Sequence, residues 1–96
     1  MKPSSALQIY REQIRSIVEK YHAKNPRVFG SVLHELDEDG SDLDILIEPT
    51  PQTTLFDVGA IRHELIALLG VPVDVLTPKA IPEKFRNKVM LEARAI

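Results

Sequence analysis

Asp42 and Asp44 stand two residues apart in the run Asp42-Leu43-Asp44-Ile45-Leu46-Ile47-Glu48. In a strand, side chains alternate, so the two carboxylates share one face about 6 to 7 Å apart, while Leu43, Ile45 and Ile47 take the other. Two anions on one face repel, and a divalent cation between them removes the repulsion. Mg²⁺ suits such a pair because it takes one or two carboxylates plus substrate phosphates in an octahedral oxygen shell. Asp74 is a third candidate: it is the only charge in the stretch Val71 to Leu76, and an unpaired carboxylate is expensive to bury. Upstream, Gly30-Ser31 follows the apolar Val28-Phe29 and is placed to open a helix, where free N–H groups and a missing side chain let a phosphate come close. Each feature alone also has an ordinary structural reading, since aspartates and Gly-Ser pairs are common turn formers. Their combination is what points to phosphate chemistry.

These side chains need elements to hold them. Leu7, Tyr10, Ile14, Ile17, Val18 and Tyr21 recur at three- and four-residue spacing, which predicts an amphipathic helix over residues 5 to 23, ended by Asn25-Pro26. Arg27 to Phe29 reads as a short strand, Val32 to Gly40 as one helical turn followed by a loop, and Asp42 to Glu48 as the second strand. Thr54 with Asp57 three residues on is a capping-box-like start for a helix carrying Leu55, Val58, Ile61, Leu65, Leu68 and Leu69. Gly70 is its expected C-terminal cap. Val71 to Leu76 is a third strand, and residues 82 to 94 a last helix with Phe85, Val89 and Ala93 turned inward. The predicted order is α-β-β-α-β-α, an α+β fold.

Composition bounds the chemistry. Ninety-six residues, 44% hydrophobic and 27% charged, are expected to form one domain spanning 1–96. The absence of cysteine excludes disulfides, thiolate metal sites and cysteine nucleophiles, so any metal is held by oxygen or imidazole. Apolar runs of a handful of residues fall far short of the roughly 20 that a membrane helix needs, which together with the lack of cysteine suggests a cytoplasmic protein with no membrane partner. A net charge of −2 gives no argument for direct nucleic-acid binding. Glu35 to Glu48 nevertheless holds seven acidic residues and no Lys or Arg, a concentration for which cation binding is one reason. Lys79, Lys84, Arg86, Lys88 and Arg94 are expected on the wet face of the last helix and its flanks, and Arg62-His63 has the same reading.

Val28-Phe29-Gly30-Ser31, ten residues, then Asp42-Leu43-Asp44-Ile45-Leu46-Ile47 closely resembles the signature of the minimal nucleotidyltransferases, small members of the DNA polymerase β-like superfamily. Val73-Asp74-Val75 falls where such domains carry their third carboxylate. The resemblance implies a nucleotidyltransferase fold: a small mixed sheet with helices packed mainly on one face and a nucleoside triphosphate at one end of the strands. It implies that Gly30 and Ser31, with Ser41 beside them, bind the nucleotide, and that Asp42, Asp44 and Asp74 are catalytic and hold Mg²⁺. Physically, two metal ions roughly 3.5 to 4 Å apart can stabilise both the attacking and the leaving oxygen at phosphorus. Many family members follow the Gly-Ser with an Arg and a Gly where this chain has His34 and Glu35, which bears on triphosphate affinity rather than on the metal site. Stand-alone members are commonly antitoxins paired with a helical HEPN ribonuclease. The resemblance therefore implies AMP transfer from ATP to a tyrosine of such a toxin, in a hetero-oligomer. The alternatives are a binding-type antitoxin that acts by complex formation, and nucleotidyl transfer to a small molecule.

Overall fold

A computed structural model describes residues 1–96. It contains four α-helices, α1 (Pro3–Ile9), α2 (Arg11–Lys20), α3 (Leu55–Leu69) and α4 (Glu83–Glu92), and four strands, β1 (Ala23–Phe29), β2 (Leu43–Pro49), β3 (Val73–Leu76) and β4 (Arg94–Ala95). The strands form one sheet in the order β3-β2-β1-β4. β1 is antiparallel to both β2 and β4, whereas β2 and β3 run parallel. The expected mixed α+β sheet is therefore present, with α3 making the crossover that a parallel pair requires.

β2 is the centre of the sheet. Leu43, Ile45 and Ile47 are fully buried and join Ala6, Ile14, Val18, Ile61, Leu65 and Val73 in one core beneath α1, α2 and α3. Asp44 and Glu48 alternate to the opposite, open face and are half-buried. Leu46 shares that open face and is also buried, outside the main core, where a 3-10 turn at Pro78–Ala80 packs on β2.

α3 begins and ends as its sequence predicts. The Thr54 side chain accepts from the Asp57 N–H at 3.1 Å while Asp57 Oδ2 accepts from the Thr54 N–H at 2.9 Å. These bonds satisfy two donors that a helix start leaves free, and the Thr54 N–H bond holds the Asp57 carboxyl below the usual carboxylate range. Gly70 closes the helix at φ 67°, a left-handed conformation that glycine adopts without steric cost.

The N-terminal helix differs from the expectation. It is broken at Tyr10 and ends at Lys20 rather than running over residues 5 to 23. The break lets α1 lie against α3 while α2 lies against β1. α1 has no cap from its own flank; instead buried Asp37, 33 residues away, accepts from the Ser4 N–H at 2.9 Å, and that bond lowers the Asp37 pKa. One member of the acidic run therefore serves structure. β1 starts at Ala23, not Arg27, because the register shift between Lys24 and Arg27 absorbs Asn25 (φ 50°) and Pro26 as a bulge.

The C-terminal segment departs most. No residue of α4 is fully buried: Val89 and, just past the helix, Ala93 are half-buried, but Phe85 is 51% exposed, which corrects its inward placement. α4 stands beside the 3-10 turn and outside the helix layer, so its apolar stripe has no core to enter. Arg86 is no wet-face residue; its Nε donates to Pro78 O at 2.9 Å and its Nη2 to Ile81 O at 3.0 Å, clamping the turn. Arg62 likewise donates to Val73 O at 3.1 Å. β4, which no periodicity marks, pairs with β1, and buried Ile96 donates its N–H to Pro26 O.

Candidate active site

Three neighbouring strands bring the predicted residues to one end of the open face. Asp44 and Asp74 are register partners on the parallel pair β2 and β3. On the other side Asp44 is the register partner of Phe29, after which β1 ends at Gly30. The contact there is close: a Cβ on Gly30 would collide with Asp44 Oδ2 and lie 3.1 Å from its Cγ. Gly30 is also at φ 76°, so a side chain at this position is excluded twice, by the carboxylate it would strike and by the backbone it would strain.

Asp42 lies one residue ahead of β2 rather than in it, and is exposed. Asp74 is exposed as well, which corrects the expectation that its charge is a burial problem. Asp44 bears the cost instead. Burial first, then the nearby Asp74 and Asp42 charges, push its carboxyl up to about 6. Each cause disfavours the ionised form, and a cation among the three carboxylates reverses the last two.

The donor set, all hard oxygens, fits a divalent cation of the Mg²⁺ type. No group of three or more side chains closes into a ready-made metal cage.

After Gly30-Ser31 the chain turns once, with His34 N–H donating to Gly30 O at 3.3 Å and Leu36 N–H to Ser31 O at 2.9 Å. The segment is an irregular hydrogen-bonded turn rather than the helical turn that the sequence suggests, and no helix opens at Gly30-Ser31. Ser31 is half-exposed at its start. Ser41 lies at the far end of the same loop, where its hydroxyl accepts from the Glu38 N–H at 2.9 Å and its own N–H donates back to Glu38 O. That closes a turn before Asp42.

The two departures from the family pattern have visible consequences. His34 Nε2 lies 3.2 Å from Glu92 Oε2, tying the turn to α4. Glu35 adopts φ 59°, a left-handed conformation uncommon for a residue with a side chain. Neither Glu92 nor the Arg86 clamp was distinguishable in the sequence, because both act across the fold rather than within a motif. The largest surface depression, 600 Å³ beside Glu12, Ser16, Ile17 and Leu68, lies on the helix layer, away from the carboxylates.

Comparison with known proteins agrees with this geometry. The nucleotidyltransferase domain family matches residues 11–96. Two proteins of Methanocaldococcus jannaschii, each named "putative protein adenylyltransferase", are 32% identical to the chain. One aligns over 83 residues (86% of this chain, 89% of that one) and the other over 89 residues (93% and 91%). A solved structure described as a "putative minimal nucleotidyltransferase" superposes with a TM-score of 0.86 at 32% identity, covering 97% of this chain and 95% of that one. A toxin-antitoxin crystal structure with AMP-PNP shares the fold at TM-score 0.73 and 15% identity, over 88% of this chain and 69% of that one. With Gly30 packed on Asp44, Asp74 alongside, and a family match over most of its length, the chain belongs to the nucleotidyltransferase domain family and is of the minimal type.

Proposed function

We propose that this nucleotidyltransferase moves AMP from ATP to a tyrosine hydroxyl of a HEPN-type ribonuclease partner, releasing pyrophosphate and acting as an antitoxin. The observation that carries the reading is that Gly30, just past the end of β1, packs on Asp44 of β2, whose register partner on β3 is Asp74. The names of the adenylyltransferase relatives support the reaction class, and the toxin-antitoxin neighbours support a protein acceptor.

In this reading Asp42 and Asp44 hold Mg²⁺ and Asp74 completes the set. The ion supplies charge neutralisation of the triphosphate and polarisation at phosphorus. Gly30 and Ser31 receive the polyphosphate with backbone and hydroxyl donors, and Ser41 borders the same site. Asp74, open to solvent and to an incoming acceptor, takes the hydroxyl proton as the new oxygen–phosphorus bond forms. The bond to pyrophosphate breaks and the leaving group keeps its electron pair. Added bulk and negative charge next to a ribonuclease active site would block RNA.

A binding-only antitoxin is the second reading, favoured by one observation: His34, where the family carries Arg, is occupied by Glu92. The test is a transfer assay with α-labelled ATP, Mg²⁺ and the protein encoded beside this one, comparing wild type with an Asp42→Ala, Asp44→Ala double variant. Label on the partner only with intact carboxylates is the expected result. No label, with a complex that both versions form equally well, selects the binding-only reading.

A further inference from the structure

Arg27 is a cation without a counterpart. It sits on β1 between Pro26 and Val28, both of which are buried. Its register partner is Leu46, which alternation places on the same open face as Asp44. Diagonal neighbours across an antiparallel pair are about 7 to 8 Å apart, within reach of a long side chain, and for Arg27 these are Asp44 and Glu48. Yet Arg27 forms no ion pair with either, and its Nε is buried with no hydrogen-bond partner. Arg15, Arg62 and Arg86, by contrast, all donate to groups of this chain.

A guanidinium is always charged and has five donors, so holding one half-buried and unpaired lowers stability unless a ligand completes it. The face it occupies narrows the ligand. Resting on the site reading above, the carboxylate end of this face takes a metal-bound polyphosphate, and Arg27 lies three residues, about 10 Å, along β1 from Gly30. The His34 imidazole, in the turn that follows Gly30-Ser31, is engaged with Glu92. We propose that Arg27 is a nucleotide-binding residue whose guanidinium contacts the phosphate chain, supplying the planar, two-pronged phosphate contact that His34 does not.

The test measures binding of AMP-PNP with Mg²⁺ to the full chain, together with thermal unfolding, for wild type, Arg27→Met and Arg27→Lys. Met keeps the apolar stem and removes the charge. The expected result is at least a tenfold loss of affinity for Arg27→Met, partial recovery for Arg27→Lys, and a melting temperature that stays level or rises in the Met variant. Equal affinity of wild type and Arg27→Met overturns the proposal and leaves the transferase reading standing. A fall in melting temperature with the loss of affinity also overturns it, because Arg27 would then be structural. Retained nucleotide affinity with loss of the partner complex assigns the guanidinium to an anion on the partner and overturns the phosphate contact. Wild-type protein with no affinity for AMP-PNP sinks the transferase reading and this contact together.

Discussion

The two faces of β2 divide the work of the molecule. Leu43, Ile45 and Ile47 are fully buried under the helix layer, while on the same seven-residue strand Asp44 and Glu48 face out half-exposed. Parity along one strand therefore separates what folds the chain from what gives it chemistry, and a slip of one residue would exchange the two sets. The faces also differ in how settled they are. Under the helices apolar groups meet apolar groups; the open face carries a carboxylate pushed up to about 6 and a buried guanidinium nitrogen with no hydrogen-bond partner.

The hardest test of that division is Asp44→Ala. On the proposed reading Asp44 holds the metal ion, and losing it removes several kcal/mol of transition-state stabilisation, so transfer should fall on the order of a thousandfold. The fold should survive undiminished, since the substitution also removes the repulsion from Asp74 and Asp42. Chemical denaturation and labelled transfer measured on the same sample read both. A collapse of stability alongside activity would mean that Asp44 belongs to the fold, and the division by parity would be wrong.

One residue along, Ile45→Ala should do the opposite. Ile45 is 0% exposed, and truncating a buried aliphatic to alanine costs about 2 to 5 kcal/mol through lost burial and the cavity left behind. Transfer per folded molecule should be kept. The midpoint of urea unfolding should drop at unchanged slope, and a variant as stable as wild type would show that the helix layer closes over the gap.

Sequence reading reached different depths on the two faces. Alternation in β2, the Thr54–Asp57 cap and Gly70 were legible because each is local: a period of two, a three-residue spacing, a glycine at a helix end. The row Gly30, Asp44, Asp74 was legible through motif spacing, although only the register of β2 with β3 shows that Asp44 and Asp74 stand opposite. What escaped is decided at a distance. Asp37 caps a helix 33 residues away, β4 is two residues long and exists only by pairing with β1, and Tyr10 breaks a helix whose stripe continues past it. For α4 the spacing of Phe85 and Val89 says which residues share a face; it cannot say that the cover stops short of Phe85.

Titration sharpens the comparison with a smaller effect. In metal-free protein Asp44 keeps its proton to about pH 6, whereas an unfolded aspartate loses it near 3.8. The native state therefore binds more protons between those values, and the Asp44 contribution makes stability fall as pH rises from about 4 to about 6. Asp37 and Asp57, with lowered pKa values, contribute the opposite slope as pH falls through the acid range. Subtraction isolates Asp44: wild type minus Asp44→Asn, in chelator, should show the falling limb, on the order of 1 kcal/mol for a half-exposed group. A flat difference would mean that neither burial nor the neighbouring carboxylates burden it.

Strain around the site should be smaller still. Gly70 and Glu35 both adopt left-handed backbone, but only the helix-side position holds glycine. Glu35→Gly relieves the cost of a Cβ in that region, partly offset by the greater freedom glycine has when unfolded, so a gain of about 0.5 to 1 kcal/mol is expected by thermal unfolding. A loss would mean that the glutamate side chain holds the turn.

Phe85→Ser should change stability least. Phenylalanine is among the largest apolar side chains, and in a core its removal would cost several kcal/mol, yet at 51% exposure on a helix with no buried residue it has little burial to lose. The expected cost is below about 0.5 kcal/mol, as for surface positions in general. Set beside Ile45→Ala, a smaller truncation with a larger penalty, the pair shows that position relative to the helix layer, rather than hydrophobicity, decides what a residue contributes to folding. A penalty for Phe85→Ser approaching that of Ile45→Ala would give α4 a hidden share of the core and redraw the boundary between the two faces.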